Sequence, residues 1–195
     1  MTKFTTFFIK DGILHGADFV PSPNFNARPD CPITGIVIHN ISLPPSEFGK
    51  TDTTGTHFVK AFFQNNLNAN DHDYFKTIAD LEVSAHLFIE RDGQVSQFVN
   101  FNDRAWHAGQ STYLGRSNCN DFTIGIELEG DDFSPFTEIQ YTALAHIIHA
   151  IYTAYPATER HLMGHSDIAP IRKTDPGEFF DWQKLRQLVD DLCKQ

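Results

Sequence analysis

The sequence predicts a mixed α/β (α+β) fold, in which a mixed central β-sheet is flanked by helices. Two observations carry the sheet and the helices. Short β-branched or alternating segments fill the middle of the chain, and amphipathic helical stretches lie around and after them. A third observation, that Pro and Gly cluster only in short loops, leaves no linker to divide the chain. At 195 residues such a chain can bury about 70% of its unfolded surface in one core. Residues 1–195 therefore read as a single domain.

The elements follow in order. Residues 34–40 (TGIVIHN) form a β-branched run bounded by prolines and read as a buried strand. Residues 41–55, with Pro44, Pro45 and Gly49, are loop-like, and residues 56–64 place Phe58, Val59, Phe62 and Phe63 on one helical stripe. Residues 84–90 and 94–100 alternate around Arg91-Asp92-Gly93, where an Asp-Gly pair supplies the positive φ angles of a hairpin turn. The loop 109–121 leads into another short strand, 123–128. Residues 136–155 are the clearest helix: Ile139, Leu144, Ile147, Ile148, Ile151 and Tyr155 recur at helical spacing before Pro156 ends it. Asp181 caps a last helix with Leu185, Leu188, Val189 and Leu192 on one face.

Composition narrows the function. Hydrophobic residues make up 41% and charged residues 21%, which excludes a disordered tail, a collagen-like repeat and a coiled coil. A net charge of −10 argues against a general nucleic-acid or anionic-membrane binder. The cysteines, at 31, 119 and 193, form no CxxC pair, so a reducing compartment is the simpler reading. The apolar patch at residues 7–9 is broken by Lys10 and Asp11 and is too short for a signal-peptide core.

Ten histidines stand out. His39 ends the first buried strand, His165 follows a helix and connector, and Asp175 lies ten residues later. Two imidazoles and a carboxylate can make a three-ligand zinc site with one open position. The same three residues also fit ordinary roles, as hydrogen-bonded histidines and a turn-capping aspartate. Glu127 sits in an otherwise apolar strand, where an unpaired carboxylate costs several kcal/mol. It would suit a general base, but Glu129 shares its face by alternation and the spacing does not choose between them. Lys173 would stand beside Asp175, placed to stabilise an oxyanion or else exposed on the surface. Trp106 and His107 could line a sugar or peptide pocket, while His86 reads as structural and strand-embedded.

Seven stretches are shared with a known family: VPSPNFNARPD (20–30), VIHNISLPPSEFG (37–49), VSAHLFIERDGQVSQFV (83–99), RAWHAG (104–109), GRSNCNDFTIGIELEG (115–130), GHSDIAPIRKTDPG (164–177) and FDW (180–182). Through them the chain resembles the AmpD-type zinc amidases, N-acetylmuramoyl-L-alanine amidases whose family includes phage lysozyme-type enzymes and peptidoglycan-recognition proteins. The resemblance spans about residues 20–182. It implies Zn²⁺ held by His39, His165 and Asp175, water activation by Glu127, and Lys173 beside the scissile carbonyl, with no cysteine needed at the metal. It implies hydrolysis of the amide between the lactyl group of a muramic acid and L-alanine. For AmpD-like members this occurs in the cytoplasm, on 1,6-anhydromuropeptides from cell-wall turnover. Asn40, Arg104 and Arg116 would help bind that acidic substrate. Where some members carry a second basic residue before the cysteine of this loop, the chain has Asn118. Neither nucleic acid, membrane nor an obligate protein partner is implied. Relatives that cut polymeric wall as phage or secreted enzymes, or recognise it without cutting, define the alternatives.

Overall fold

A computed structural model describes residues 6–159 and 161–194. It begins with short strands: β1 (Phe8–Lys10), β2 (Ile13–His15), β3 (Asp18–Phe19) and β4 (Phe25–Ala27). The long strand β5 (Gly35–Ile41) leads through a loop to α1 (Phe58–Phe63), then to the hairpin of β6 (Leu87–Ile89) and β7 (Val95–Gln97). After β8 (Asp103–Ala105), a ribbon of β9 (Thr112–Tyr113) and β10 (Arg116–Ser117) precedes β11 (Thr123–Glu129). Helix α2 (Glu138–Ala154), β12 (Leu162–Gly164), the single turn α3 (His165–Ile168) and α4 (Trp182–Cys193) complete the chain.

Among the described residues, six strands pair in the order β12-β5-β11-β6-β7-β3. The four at the β12 end run parallel, β6 and β7 are antiparallel, and β3 joins β7 in parallel, so the sheet is mixed. Its central strands are covered on both faces, as parallel strands require. Alternation then sorts their side chains. Ile36, Ile38, Leu87, Ile89, Ile124, Ile126 and Leu128 point to one side and join a core with Leu144, Ile147, Ile148 and Ile151 of α2 and Leu185 and Val189 of α4. The next residues along, including Phe88 of β6, point to the other side and meet α1 through Phe58, Val59, Phe62 and Phe63. His39 and Glu127 belong to this second face.

The helices start where side chains can satisfy their first amides. Thr137 and Gln140 form a reciprocal capping box on α2, and the buried Gln140 amide also donates to Ile89 O and Glu129 O, fastening the helix to the sheet. Asp181 accepts from the Lys184 amide and caps α4 as the sequence predicts. The long elements match expectation within a few residues. Two details differ. In the hairpin turn only Gly93 has positive φ, and its amide donates to Glu90 O, so the expected pair of positive angles at Asp92 and Gly93 does not form. Ile139, expected on the buried stripe of α2, is 38% exposed because it lies at the first turn, beside Gly93 rather than over the sheet.

Gly125, in the middle of β11, marks a close approach: a Cβ there would lie 2.3 Å from Cγ of His107. Gly125→Ala should therefore cost about 1–3 kcal/mol by overpacking. Urea unfolding of the variant against the parent checks this, and an unchanged midpoint would contradict the contact.

Candidate metal centre and catalytic cleft

Each candidate ligand comes from the end of an element. His39 lies near the carboxyl end of β5, and His165 begins α3 immediately after β12, whose neighbour in the sheet is β5. Gly164 N donates to Asp167 Oδ2 at 2.8 Å, which fixes the turn into α3. Asp175 is brought back by its own carbonyl, which accepts from the Ser166 amide at 3.0 Å. The result is a tight triangle. His39 Nδ1 lies 2.9 Å from His165 Nδ1, and each is 3.1 Å from Asp175 Oδ2.

The donor set suits a divalent cation. His39 and His165 are 1% and 2% exposed and Asp175 is 9% exposed, so two lone-pair nitrogens and a carboxylate oxygen face one another with little water. The outward nitrogens of both rings have their own partners, His107 Nδ1 for His39 and Ala108 O for His165. Two imidazoles and a carboxylate, oriented from behind, form an open three-ligand site of the kind zinc takes in hydrolases. In the metal-free protein, burial pushes the Asp175 carboxyl upward, but hydrogen bonds with His165 and His39 outweigh it and hold the group below the usual carboxylate range. Burial lowers His39 to about 4, with the bond to Asp175 opposing.

The two glutamates of β11 separate clearly. Glu129 accepts from the Gly49 amide at 2.5 Å and the Arg91 amide at 3.0 Å and pairs with His57 Nε2 at 3.0 Å. It ties two loops to the sheet, and its acceptor sites are occupied. Glu127 Oε2 instead is buried without a hydrogen-bond partner among the described residues. Burial, and then the charge of Asp175, push its carboxyl well above the usual range, while Lys173 opposes. Lys173 is half-buried and lines the same cleft as His39, Glu127, His165 and Asp175.

That cleft encloses about 450 Å³. Its lining includes an apolar wall of Phe62, Phe63, Ile78, Leu81 and Val83, and the acidic Asp131 and Asp132. Of the remaining candidates, Trp106 lines the cleft and donates from Nε1 to Asn26 Oδ1 at 2.7 Å. Asn40 lines it too, but its amide donates to Asp132 Oδ1 and Pro176 O, bracing the segment that carries Asp175. His107 touches the cleft while its Nδ1 faces His39. Arg104 and Arg116 are not among the residues that line the cleft. Arg104 binds Asp121 Oδ1 at 2.5 Å and Asn26, and Arg116 lies over the Phe122 ring at 3.9 Å. Sequence reasoning missed Asp132 and the His57–Glu129 pair, whose partners are far apart in the chain, and the apolar wall, whose residues read only as core.

A mixed sheet that brings a His-His-Asp group able to hold a metal ion and a buried glutamate with an unpaired oxygen into one cleft has the arrangement of a hydrolase site. Comparison with known proteins gives the family. The N-acetylmuramoyl-L-alanine amidase family model matches residues 29–178, and the chain belongs to that family. It is 50% identical over 182 residues to the 1,6-anhydro-N-acetylmuramyl-L-alanine amidase AmpD of Citrobacter freundii, covering 93% of this chain and 94% of the relative. The AmpD of Escherichia coli K12 is 49% identical, with 93% and 96% covered. A crystal structure of a selenomethionine derivative of AmpD superposes with a TM-score of 0.88 at 49% identity, covering 93% and 99% of the two chains. The Escherichia coli amidase AmiD in complex with the substrate anhydro-N-acetylmuramic acid-L-Ala-D-gamma-Glu-L-Lys superposes with a TM-score of 0.56 at 25% identity, covering 95% of this chain and 66% of that one. Among the described residues no helix is long and apolar enough to cross a membrane.

Burial, followed by the charge of Arg28, lowers His86 to about 3. Its unfolded value is near 6.5. Below that pH the unfolded chain takes up protons that the fold refuses, so stability falls with pH by up to about 1.4 kcal/mol per unit per such histidine until the folded value is reached. Urea unfolding of metal-free protein between pH 6.5 and 4 should show this decline. His86→Asn, which keeps an acceptor for the Gly125 amide now bound to His86 Nδ1, should flatten it.

Proposed function

We propose that the protein is a zinc-dependent amidase of cell-wall recycling. It hydrolyses the amide between the lactyl group of 1,6-anhydro-N-acetylmuramic acid and L-alanine, on soluble turnover fragments in the cytoplasm, and residues 1–195 act as one catalytic domain. The observation that carries the chemistry is the unpaired Glu127 Oε2, buried in the cleft beside the His39–His165–Asp175 triangle. Near-half identity to AmpD over almost the full length of both chains favours small anhydromuropeptides over polymeric wall. By contrast, AmiD of Escherichia coli is 35% identical over 61% of this chain.

His39, His165 and Asp175 would hold the zinc, which when bound polarises the scissile carbonyl and makes water nucleophilic at neutral pH. Glu127 then acts twice. Its carboxylate takes a proton from the attacking water as the carbon–oxygen bond forms, and returns a proton to the alanine nitrogen as the carbon–nitrogen bond breaks. A carboxyl raised by burial has basicity closer to neutrality, as both transfers require. The Lys173 ammonium stabilises the negative charge that develops on the carbonyl oxygen, an effect worth more in a cleft that excludes water. Trp106 and the apolar wall hold the fragment against the centre.

Mass spectrometry of a purified anhydromuramyl peptide incubated with the protein should show release of the free peptide, abolished by a chelator. Absence of that release would overturn the proposal. Glu127→Gln should retain zinc while turnover drops roughly 10²–10⁴-fold, the usual contribution of a positioned acid–base group. Lys173→Ala should lower kcat by about 10²–10³-fold, as does removal of an oxyanion donor. Metal analysis alongside steady-state kinetics separates these from loss of the ion.

A further inference from the structure

Both histidines of the triangle turn Nδ1 inward, so a metal there requires each to carry its proton on Nε2. The receiving groups are adjacent in sequence. His39 Nε2 lies 3.0 Å from His107 Nδ1, and His165 Nε2 lies 3.1 Å from the carbonyl oxygen of Ala108. One side chain fixes this pair of residues: Asn120 Oδ1 accepts from the His107 amide at 3.1 Å and from the Ala108 amide at 2.7 Å. Asn120 is 6% exposed and stands in the 3-10 turn Cys119–Asp121, where Arg28 Nη1 holds its carbonyl at 2.9 Å.

We infer that His107 and Asn120 are positioning residues of the metal centre: Asn120 sets the 107–108 segment, and that segment dictates the tautomer and ring orientation of both histidine ligands. The inference rests on the zinc reading above and goes beyond it. The proton bookkeeping is closed. His107 receives at Nδ1 and so carries its own proton on Nε2, which faces Thr123 Oγ1 at 3.3 Å. Thr123 Oγ1 in turn donates to Cys119 O at 2.6 Å, the carbonyl preceding Asn120. Each group along this path donates in a single direction, so reversing the His39 tautomer would set two acceptors or two donors face to face. Gly125 lets the His107 ring lie directly on β11. Arg172 Nη2, 2.7 Å from Ala108 O, occupies the second lone pair of the carbonyl that receives His165.

Partners of this kind change metal affinity by about 10–100-fold. The test is Zn²⁺ affinity, measured by competition with a chromophoric chelator on the full chain, together with the absorption spectrum of the Co²⁺ form. His107→Leu and Asn120→Ala should each weaken Zn²⁺ binding by about 10–100-fold and alter the Co²⁺ spectrum. His107→Asn, which retains an acceptor near the Nδ1 position, and Asn120→Asp, which retains an oxygen acceptor at Oδ1, should stay within about threefold of the parent. Parent-like affinity in His107→Leu and Asn120→Ala would overturn the inference. So would equal losses in the conservative variants, which would mark general damage to the fold. Should His107→Leu fail to fold, Asn120→Ala leaves the ring in place and carries the same comparison. A parent protein that takes up no stoichiometric Zn²⁺ would instead overturn the proposed function itself, a result distinct from either.

Discussion

The register between β5 and β11 governs the site. These two parallel strands are paired along their whole length, with Glu127 directly opposite His39. Partner residues on neighbouring strands face the same side, so the proposed general base and a proposed metal ligand are set side by side by backbone hydrogen bonds. A slip of one residue would turn Glu127 into the apolar layer under α2 and bring Leu128 or Ile126 to the cleft. The flanking isoleucines make that slip prohibitive, since they would lose their place in the core. Packing on one face of the sheet thus enforces chemistry on the other.

Charge is organised locally, against the sign of the whole molecule. Glu127 and Asp175 are buried carboxyls that repel each other, and the Lys173 ammonium offsets only part of that repulsion. A cation in the triangle resolves the conflict more fully, which is why the acidic sum of −10 says little about the cleft. Glu129 provides the contrast within one strand. It too is buried, but two amides and His57 complete its hydrogen bonding, and its carboxyl stays below its ordinary range although burial opposes this. Two glutamates two residues apart therefore differ because their partners differ: Glu129 fastens two loops, while Glu127 Oε2 is left unpaired among the described residues, as the proposed proton transfers require.

What could be read in the sequence follows from range. β5, β11, α2 and α4 are long enough for periodicity to register, and their positions were legible. Strands such as β4, β8 and β12 span three residues each, too few for a period, and owe their form to the neighbours they pair with. The triangle itself was not derivable from spacing, since His39 and His165 meet only through β12 joining β5; motif resemblance named them where periodicity could not. Arg104 and Arg116 are held by Asp121 and by the face of Phe122, contacts that charge alone does not foretell. Asn120 had no signal at all, because its function lies in accepting two backbone amides.

The link from Glu129 to Gly49 has a consequence for how such an enzyme can change. The chain leaves β5 at Ile41 and is fastened again at Gly49; between them Leu43 is buried beside α1 and Phe48 lies under Arg91, while Ser42, Leu43, Pro45 and Ser46 form part of the cleft wall. Pro45 and Ser46 are exposed on that wall and stand apart in the chain from His39, His165 and Asp175, so substitutions there would reshape what the cleft admits while the triangle keeps its own strands. What enters the cleft and what reacts in it would then rest on separate stretches of backbone.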